Sequence, residues 1–189
     1  LDLLLTNNYI CHLCVVETAW IQKLQIRRQY DGAQDYDLVL RIVSSLMLKE
    51  KENSNSGRVE DYICHVPKVL YHWRCYEGST SENPESKRYA YEAGKRAVED
   101  FLKAREYQAD VVHTCHLGFF RVNYQPDLLS NRPDVAVVGG KLIDRHNRVV
   151  GGIYNENREP LYLGLHKEYS GYMHRASCQQ EAYAVDVRC

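Results

Sequence analysis

Two periods of apolar residues run through the chain, one suited to helices and one to strands. The run NNYICHLCVVE, short, apolar and rich in β-branched and aromatic residues, predicts a strand over residues 9–16, and ETAWIQKLQ a brief helix after it. From Asp35 or Tyr36 onward, Leu38, Ile42, Val43 and Leu46 recur at helical spacing. Acids stand at the start and Lys49 and Lys51 near the end, a charge order that suits the helix dipole. KEKENSNSGRVED reads as a solvated loop. YICHVPKVLYHWR reads as two short strands interrupted by Pro67, because proline removes a ladder donor. A second helix is predicted with Asn83 as N-cap and Pro84 at its first position. Ala90, Ala93, Ala97, Phe101 and Ala104 form its apolar stripe, and it ends near Tyr107. Strand character returns in DVVHTCHLGFFRVNY. DVAVVGGKLIDRHNRVVGGIY predicts two strands joined by the polar turn DRHN, with glycine pairs marking bulges, and AYAVDVRC a last strand. The chain therefore mixes α and β.

Composition narrows the function classes. With 189 residues and 44% hydrophobic content the chain is long enough to bury a core, so disorder is not expected. Lysine and arginine total 24 against 25 acids, so no global field favours nucleic acid or an anionic membrane. No apolar stretch approaches the roughly 20 residues that span a bilayer, and LDLLLTNNYI lacks the basic flank and cleavage site of a signal peptide. The seven cysteines are odd in number and scattered, several within apolar runs where Cys acts as a small hydrophobe, which fits a reducing cytoplasm. The 15 tyrosines suit half-buried strands or a rim that stacks on a polar ligand such as a sugar.

The stretch YDGAQDYDLVLRIV carries the sharpest chemical question, because it places Asp35 and Asp37 two positions apart immediately before an apolar run. A D-x-D metal clamp ends a buried strand, whereas here the polar RRQYDGAQ precedes the acids and LVLRIV follows them. That order puts them at a helix start, where the dipole and free backbone N–H groups favour a carboxylate in its ionised form. Such a group serves as a general base where it reaches a hydroxyl proton. The competing reading is that one acid caps the helix and the other is solvated.

YDGAQDYDLVLRIV, together with ICHVPKVLYHWRCYEGSTSENPESKRYAYEAGKRAVEDF, resembles glycosyltransferase family 2, especially the large bacterial members with tandem modules for cell-surface polysaccharide synthesis. The likeness runs from about residue 4 to residue 101. In that family an acidic pair written ED or QD opens the acceptor-side helix and its second member is the catalytic base. Gln34 and Asp35 match the pair, and Asp37, Leu38 and Arg41 continue the pattern. KVLYHWR looks like the strand and loop that return to the donor diphosphate, with His72 and Arg74 as polar members and Ser79 in the GST that follows. The resemblance implies a GT-A-like, Rossmann-like α/β fold with a mixed sheet and flanking helices. It also implies inverting transfer from a nucleotide-sugar donor to a hydroxyl of a glycan acceptor. Asp35 is then the base, Gln34, Asp37, Arg74 and Ser79 contact substrate, and His72 meets the metal or the diphosphate. Mn or Mg would assist the complete enzyme.

The likeness is partial. The apolar strand, proline turn and D-x-D that build a donor site in this family do not precede Leu1, so residues 1–106 are expected to be the acceptor-side part of one module. Residues 107–132 are then a connector and residues 133–189 part of a second module, in which Asp144 is a turn residue. The nucleotide-binding half is expected to be missing, no metal is expected in this piece, and the chain is expected to be catalytically incomplete alone. Its expected location is the cytoplasm, with peripheral attachment to the inner membrane face open for a longer parent. Three other readings compete. One is a carbohydrate- or protein-binding domain without chemistry, using the tyrosines with Lys23, Arg27 and Arg28. A zinc protein would use CHLC and HTCH, but no second pair lies at a zinc-finger distance. Glycoside hydrolysis needs carboxyls about 5–9 Å apart across a substrate, which acids two apart at a helix start do not provide.

Overall fold

The computed structural model describes residues 1–10, 13–52, 58–72, 87–180 and 184–185. It is a mixed α/β structure with helices and small two-stranded sheets, and its residues cluster into two units.

The first unit, Asn7–Tyr107 with Val111–Phe120, is built on helices. Helix α2 (Thr18–Leu24) and the long α3 (Gln34–Glu52) follow the periodicity in their sequences, and a 3-10 turn at Arg28–Tyr30 leads into α3. Helix α4 (Arg88–Ala104) packs against α3. Its buried face is Ala93, Gly94, Ala97, Val98, Phe101 and Leu102, close to the stripe expected from sequence. The proposed cap at Asn83 and Pro84 lies outside the described residues. Small residues on α4 let the layers approach closely. A Cβ placed on Gly94 would stand 3.3 Å from Phe120, whose ring stacks on Tyr36 at 6.5 Å.

Two strand expectations in this unit are corrected. Among the described residues of 9–16 and 63–72 there is no strand. Their apolar, β-branched composition suits a pleated surface, but a strand exists only where another strand supplies the ladder, and none pairs with them here. The segment before residue 63 instead forms a short 3-10 turn, Val59–Tyr62.

The second unit comprises Leu1–Thr6, Gln108–Asp110 and Arg121–Cys189, so residues 121–132 group with the C-terminal part of the chain. It holds α1 (Asp2–Thr6) and α5 (Leu128–Asn131). Strands β1 (Ala109–His113) and β2 (Phe120–Tyr124) form a two-stranded sheet, so the strand character of DVVHTCHLGFFRVNY is that of a hairpin. Strand β3 (Leu142–Ile143) pairs antiparallel with β4 (Val149–Gly151) across the DRHN turn, with a register shift beside Leu142. Strand β5 (Ile153–Tyr154) pairs with β6 (Ala184–Val185). Asp144 makes the turn itself, accepting the backbone N–H groups of Arg148 (2.9 Å) and His146 (2.8 Å). These bonds, chiefly that from Arg148, hold its carboxyl below the usual range. Buried Arg132 ties the unit together, donating to Asp2 and Asp134 at 2.6 Å each.

The turn into α3 requires its glycine. Gly32 has φ +92°, and a Cβ there would stand 2.8 Å from Ala90 Cβ and from the Tyr89 ring. Gly32→Ala is therefore expected to lower unfolding free energy by about 1–3 kcal/mol, read as a lower urea midpoint. An unchanged midpoint would show that the turn and α4 are less tightly opposed than described.

Candidate functional site

The site begins with the first turn of α3. Gln34 and Asp35 are exposed while Tyr36, Asp37, Leu38, Val39 and Leu40 are all buried. On an α-helix each residue advances about 100°, so acids two positions apart point about 200° from each other. The two carboxylates accordingly meet different surroundings. Asp37, which has left solvent, departs from the reading of a simple cap plus a solvated acid, whereas exposed Asp35 fits its solvated member.

Asp37 is 1% exposed and is held between two guanidinium groups. Arg27 donates Nε to Oδ2 at 3.2 Å and a second, terminal N–H to Oδ1. From one turn further along α3, Arg41 donates Nε and Nη2 to Oδ2 at 3.0 and 2.7 Å. Arg41 also closes the end of α2, donating to the carbonyls of Leu24 at 2.6 Å and Gln25 at 2.8 Å. The Arg27 guanidinium lies 4.4 Å from the centre of the Tyr30 ring, and the Tyr30 hydroxyl donates to Asp100 on α4. The hydrogen bond to Asp37 is the main influence holding Arg27 more firmly protonated, against the opposing effect of its burial. Burial, more than the bond to Asp100, pushes the Tyr30 hydroxyl up.

Asp35 meets a different environment. Its Oδ2 accepts a hydrogen bond from Asn8 Nδ2 at 3.0 Å. The thiol of Cys14, an exposed residue, is raised above its usual range by partial desolvation first and by the Asp35 charge second. Gln34 turns its Oε1 back to the Gly32 backbone N–H at 2.8 Å, bracing the entry to the helix. Neither Asn8 nor Cys14 was singled out by the sequence as part of this site. Asn8 lies 27 positions from Asp35, and no local spacing signals such a pair.

The other expected site residues are not gathered here. His72 is exposed, and Arg74 and Ser79 lie outside the described residues. Among the described residues no three His, Cys, Asp or Glu side chains come together as a metal site. Cys14, Cys64, Cys115 and Cys178 are free thiols. A groove of about 530 Å3 runs from Cys14 along α3, with walls that include Leu13, Val15, Val39, Ile42 and Leu46. Lys23 and Lys49 reach it but lie over the Trp20 ring, at 5.7 and 5.3 Å from its centre.

Comparison with known proteins adds two relatives. Over 103 residues the chain is 41% identical to the uncharacterized protein y4gI of Sinorhizobium fredii (strain NBRC 101917 / NGR234), covering 53% of this chain and 10% of that protein. Over 138 residues it is 28% identical to the O-antigen biosynthesis protein RfbC of Myxococcus xanthus, covering 72% of this chain and 9% of that protein. The chain thus spans about a tenth of the length of the curated relatives it matches. No family model and no solved structure matches it. No helix among the described residues is long and apolar enough to cross a membrane.

Two outcomes test the division of labour between the acids. Asp37→Ala leaves two guanidinium groups facing a void and is expected to cost about 2–4 kcal/mol of stability, whereas Asp35→Asn should stay within about 0.5 kcal/mol, both by urea unfolding. Equal costs would contradict the geometry. Because the Asp35 charge opposes formation of the Cys14 thiolate, Asp35→Asn should also speed Cys14 alkylation at a fixed, mildly alkaline pH. Iodoacetamide labelling followed by peptide mass mapping reads this directly, and slower labelling would place Asp35 away from Cys14.

Proposed function

We propose that this chain carries the acceptor-side part of an inverting glycosyltransferase acting in cell-surface polysaccharide synthesis, with Asp35 as its general base. The observation that carries the reading is the contrast within one helical turn. Asp37 is consumed by two arginines, while Asp35 stands exposed at the start of α3 with, among the described residues, one neutral hydrogen-bond partner. The distant similarity to a protein of O-antigen biosynthesis supports the polysaccharide context, and the QD pair supports the role of Asp35.

In this reaction the acceptor hydroxyl gives its proton to Asp35 as its oxygen attacks the anomeric carbon of the nucleotide sugar. The new C–O bond forms on the face opposite the departing nucleoside diphosphate, so the anomeric centre inverts. Asp37 acts in our reading through the fold rather than on substrate, because its oxygens are spent on Arg27 and Arg41. Gln34, with its Oε1 engaged by the turn, offers its Nε2 amide to an acceptor hydroxyl. Arg74, Ser79 and His72 serve the donor diphosphate. A GT-A fold in the complete protein, a nucleotide-sugar donor and a divalent metal that eases departure of the diphosphate belong to this proposal.

The test uses the full-length protein with UDP-, GDP- and dTDP-sugars in the presence of Mn2+ or Mg2+. Asp35→Asn should lower turnover by on the order of 100-fold or more while donor affinity stays within about twofold, because the substitution removes basicity and not a donor contact. An Asp35→Asn protein with wild-type turnover would overturn the assignment. The 189-residue chain alone should bind none of these donors appreciably by calorimetry. Tight binding would show that the donor site lies within it.

A further inference from the structure

We infer that Asn8 is the positioning residue of the proposed base, a neutral amide that aims the Asp35 carboxylate and sets which of its oxygens receives the acceptor proton. This rests on the assignment of Asp35 as base and goes beyond it. The Asn8 side chain is partly buried and comes from the segment before α2, so it approaches Asp35 from outside α3. Its Nδ2 occupies Oδ2 at 3.0 Å. Oδ1 is the oxygen left to reach an acceptor hydroxyl.

Two features make this contact more than an incidental surface bond. The first is rotamer control. An exposed aspartate in the first turn of a helix samples several χ1 and χ2 settings, and a base must be held within hydrogen-bond reach of one proton. Every other side chain around this turn is engaged elsewhere: Gln34 with the Gly32 N–H, Asp37 with its arginines, and Tyr36 against Phe120. Among the described residues, the Asn8 amide is the group that hydrogen-bonds the Asp35 carboxylate and fixes it.

The second feature is charge. A lysine or arginine in the same place would fix the carboxylate but would also hold it as a permanent ion pair, as Arg27 and Arg41 do for Asp37. A carboxamide supplies direction without a competing cation. Asn8 therefore orients Asp35 and leaves it able to accept a proton.

The chemistry makes a distinctive prediction for two near-isosteric replacements. Asn8→Leu removes the donor and frees the carboxylate to rotate. Asn8→Asp removes the donor only when the introduced acid is ionised. While that acid keeps its proton it donates to Asp35 much as the amide did, and once the pair loses its last proton two like charges face each other and separate. Asn8→Asp should therefore work best while the pair holds a proton and lose activity as pH rises and that proton leaves, whereas the wild type should not lose activity over that rise.

The experiment has two readouts. In the full-length protein, assayed with whichever of UDP-, GDP- or dTDP-sugars supports transfer, Asn8→Leu should lower kcat about tenfold with the KM for the donor unchanged, and Asn8→Asp should show the acid-shifted pH profile. In the 189-residue chain, the 15N–1H resonances of the Asn8 side-chain amide should move with pH across the range in which carboxylates titrate. Asp35→Asn should abolish that movement. If Asp35→Asn leaves the amide signals following the same titration, the contact is absent and the inference fails whatever the kinetics. If Asp35→Asn abolishes transfer while both Asn8 variants keep the wild-type kcat and pH profile, the base assignment stands and the role of Asn8 is overturned. If Asp35→Asn transfers normally, the base assignment itself fails and the inference with it.

Discussion

The start of α3 depends on one buried carboxylate. Asp37 leaves water almost completely, a cost of several kcal/mol for an ion without partners, and it is tolerated because Arg27 and Arg41 converge on it from different segments. The pair does more than neutralise it. Arg41 spends its remaining N–H groups on the last carbonyls of α2, and Arg27 lies over Tyr30, whose hydroxyl reaches Asp100 on α4. One carboxylate thus ties together α2, the loop of residues 25–31, α3 and α4. A network of this kind is stabilising only when complete, since removing the central acid strands two cations at once.

Residues 35, 36 and 37 show how a helix turns this constraint into a site. At about 100° per residue they face three directions. Asp37 enters the arginine clamp. Tyr36 goes into the core, where it stacks on Phe120 and burial raises its hydroxyl far above the usual range. Asp35 then faces outward. Gly94 and Gly32 make the arrangement possible, because a side chain at either would press on Phe120 or on α4. The exposure of Asp35 is therefore a consequence of what its two neighbours bury.

The legible parts of the sequence were those with local causes. Helices α3 and α4 follow from the 3.6-residue recurrence of Leu38, Val43 and Leu46 and of Ala93, Ala97 and Phe101. The DRHN turn follows from Asp144, which can bond its own downstream backbone. Residues 9–16 and the run YICHVPKVLYHWR, residues 62–74, read as strands because valine, isoleucine and tyrosine suit a sheet. Pairing, though, is a property of two segments, and composition describes only one. The site divides in the same way. The Asp37 to Arg41 contact has the i, i+4 spacing of a helix salt bridge and was open to view in the pattern. Arg27, ten positions earlier in a loop, and Asn8, 27 positions away, are placed by tertiary structure. The resemblance singled out Asp35, but geometry distinguishes it from Asp37.

That distinction turns on unspent lone pairs. A carboxylate serves as a base when an oxygen faces the substrate with capacity to accept a proton. Oδ2 of Asp37 accepts three N–H groups and Oδ1 a fourth, all out of reach of solvent. Among the described residues Asp35 accepts one, from an amide that carries no charge. Two acids that look equivalent in YDGAQDYDLV thereby meet opposite surroundings. The one surrounded by arginines fixes the frame, and the one held by asparagine stays exposed, as the base we propose would have to be. A mutation that moved an arginine toward Asp35, or removed one from Asp37, would blur that separation, so the position of three cationic and amide side chains matters to the proposed chemistry as much as the acid itself.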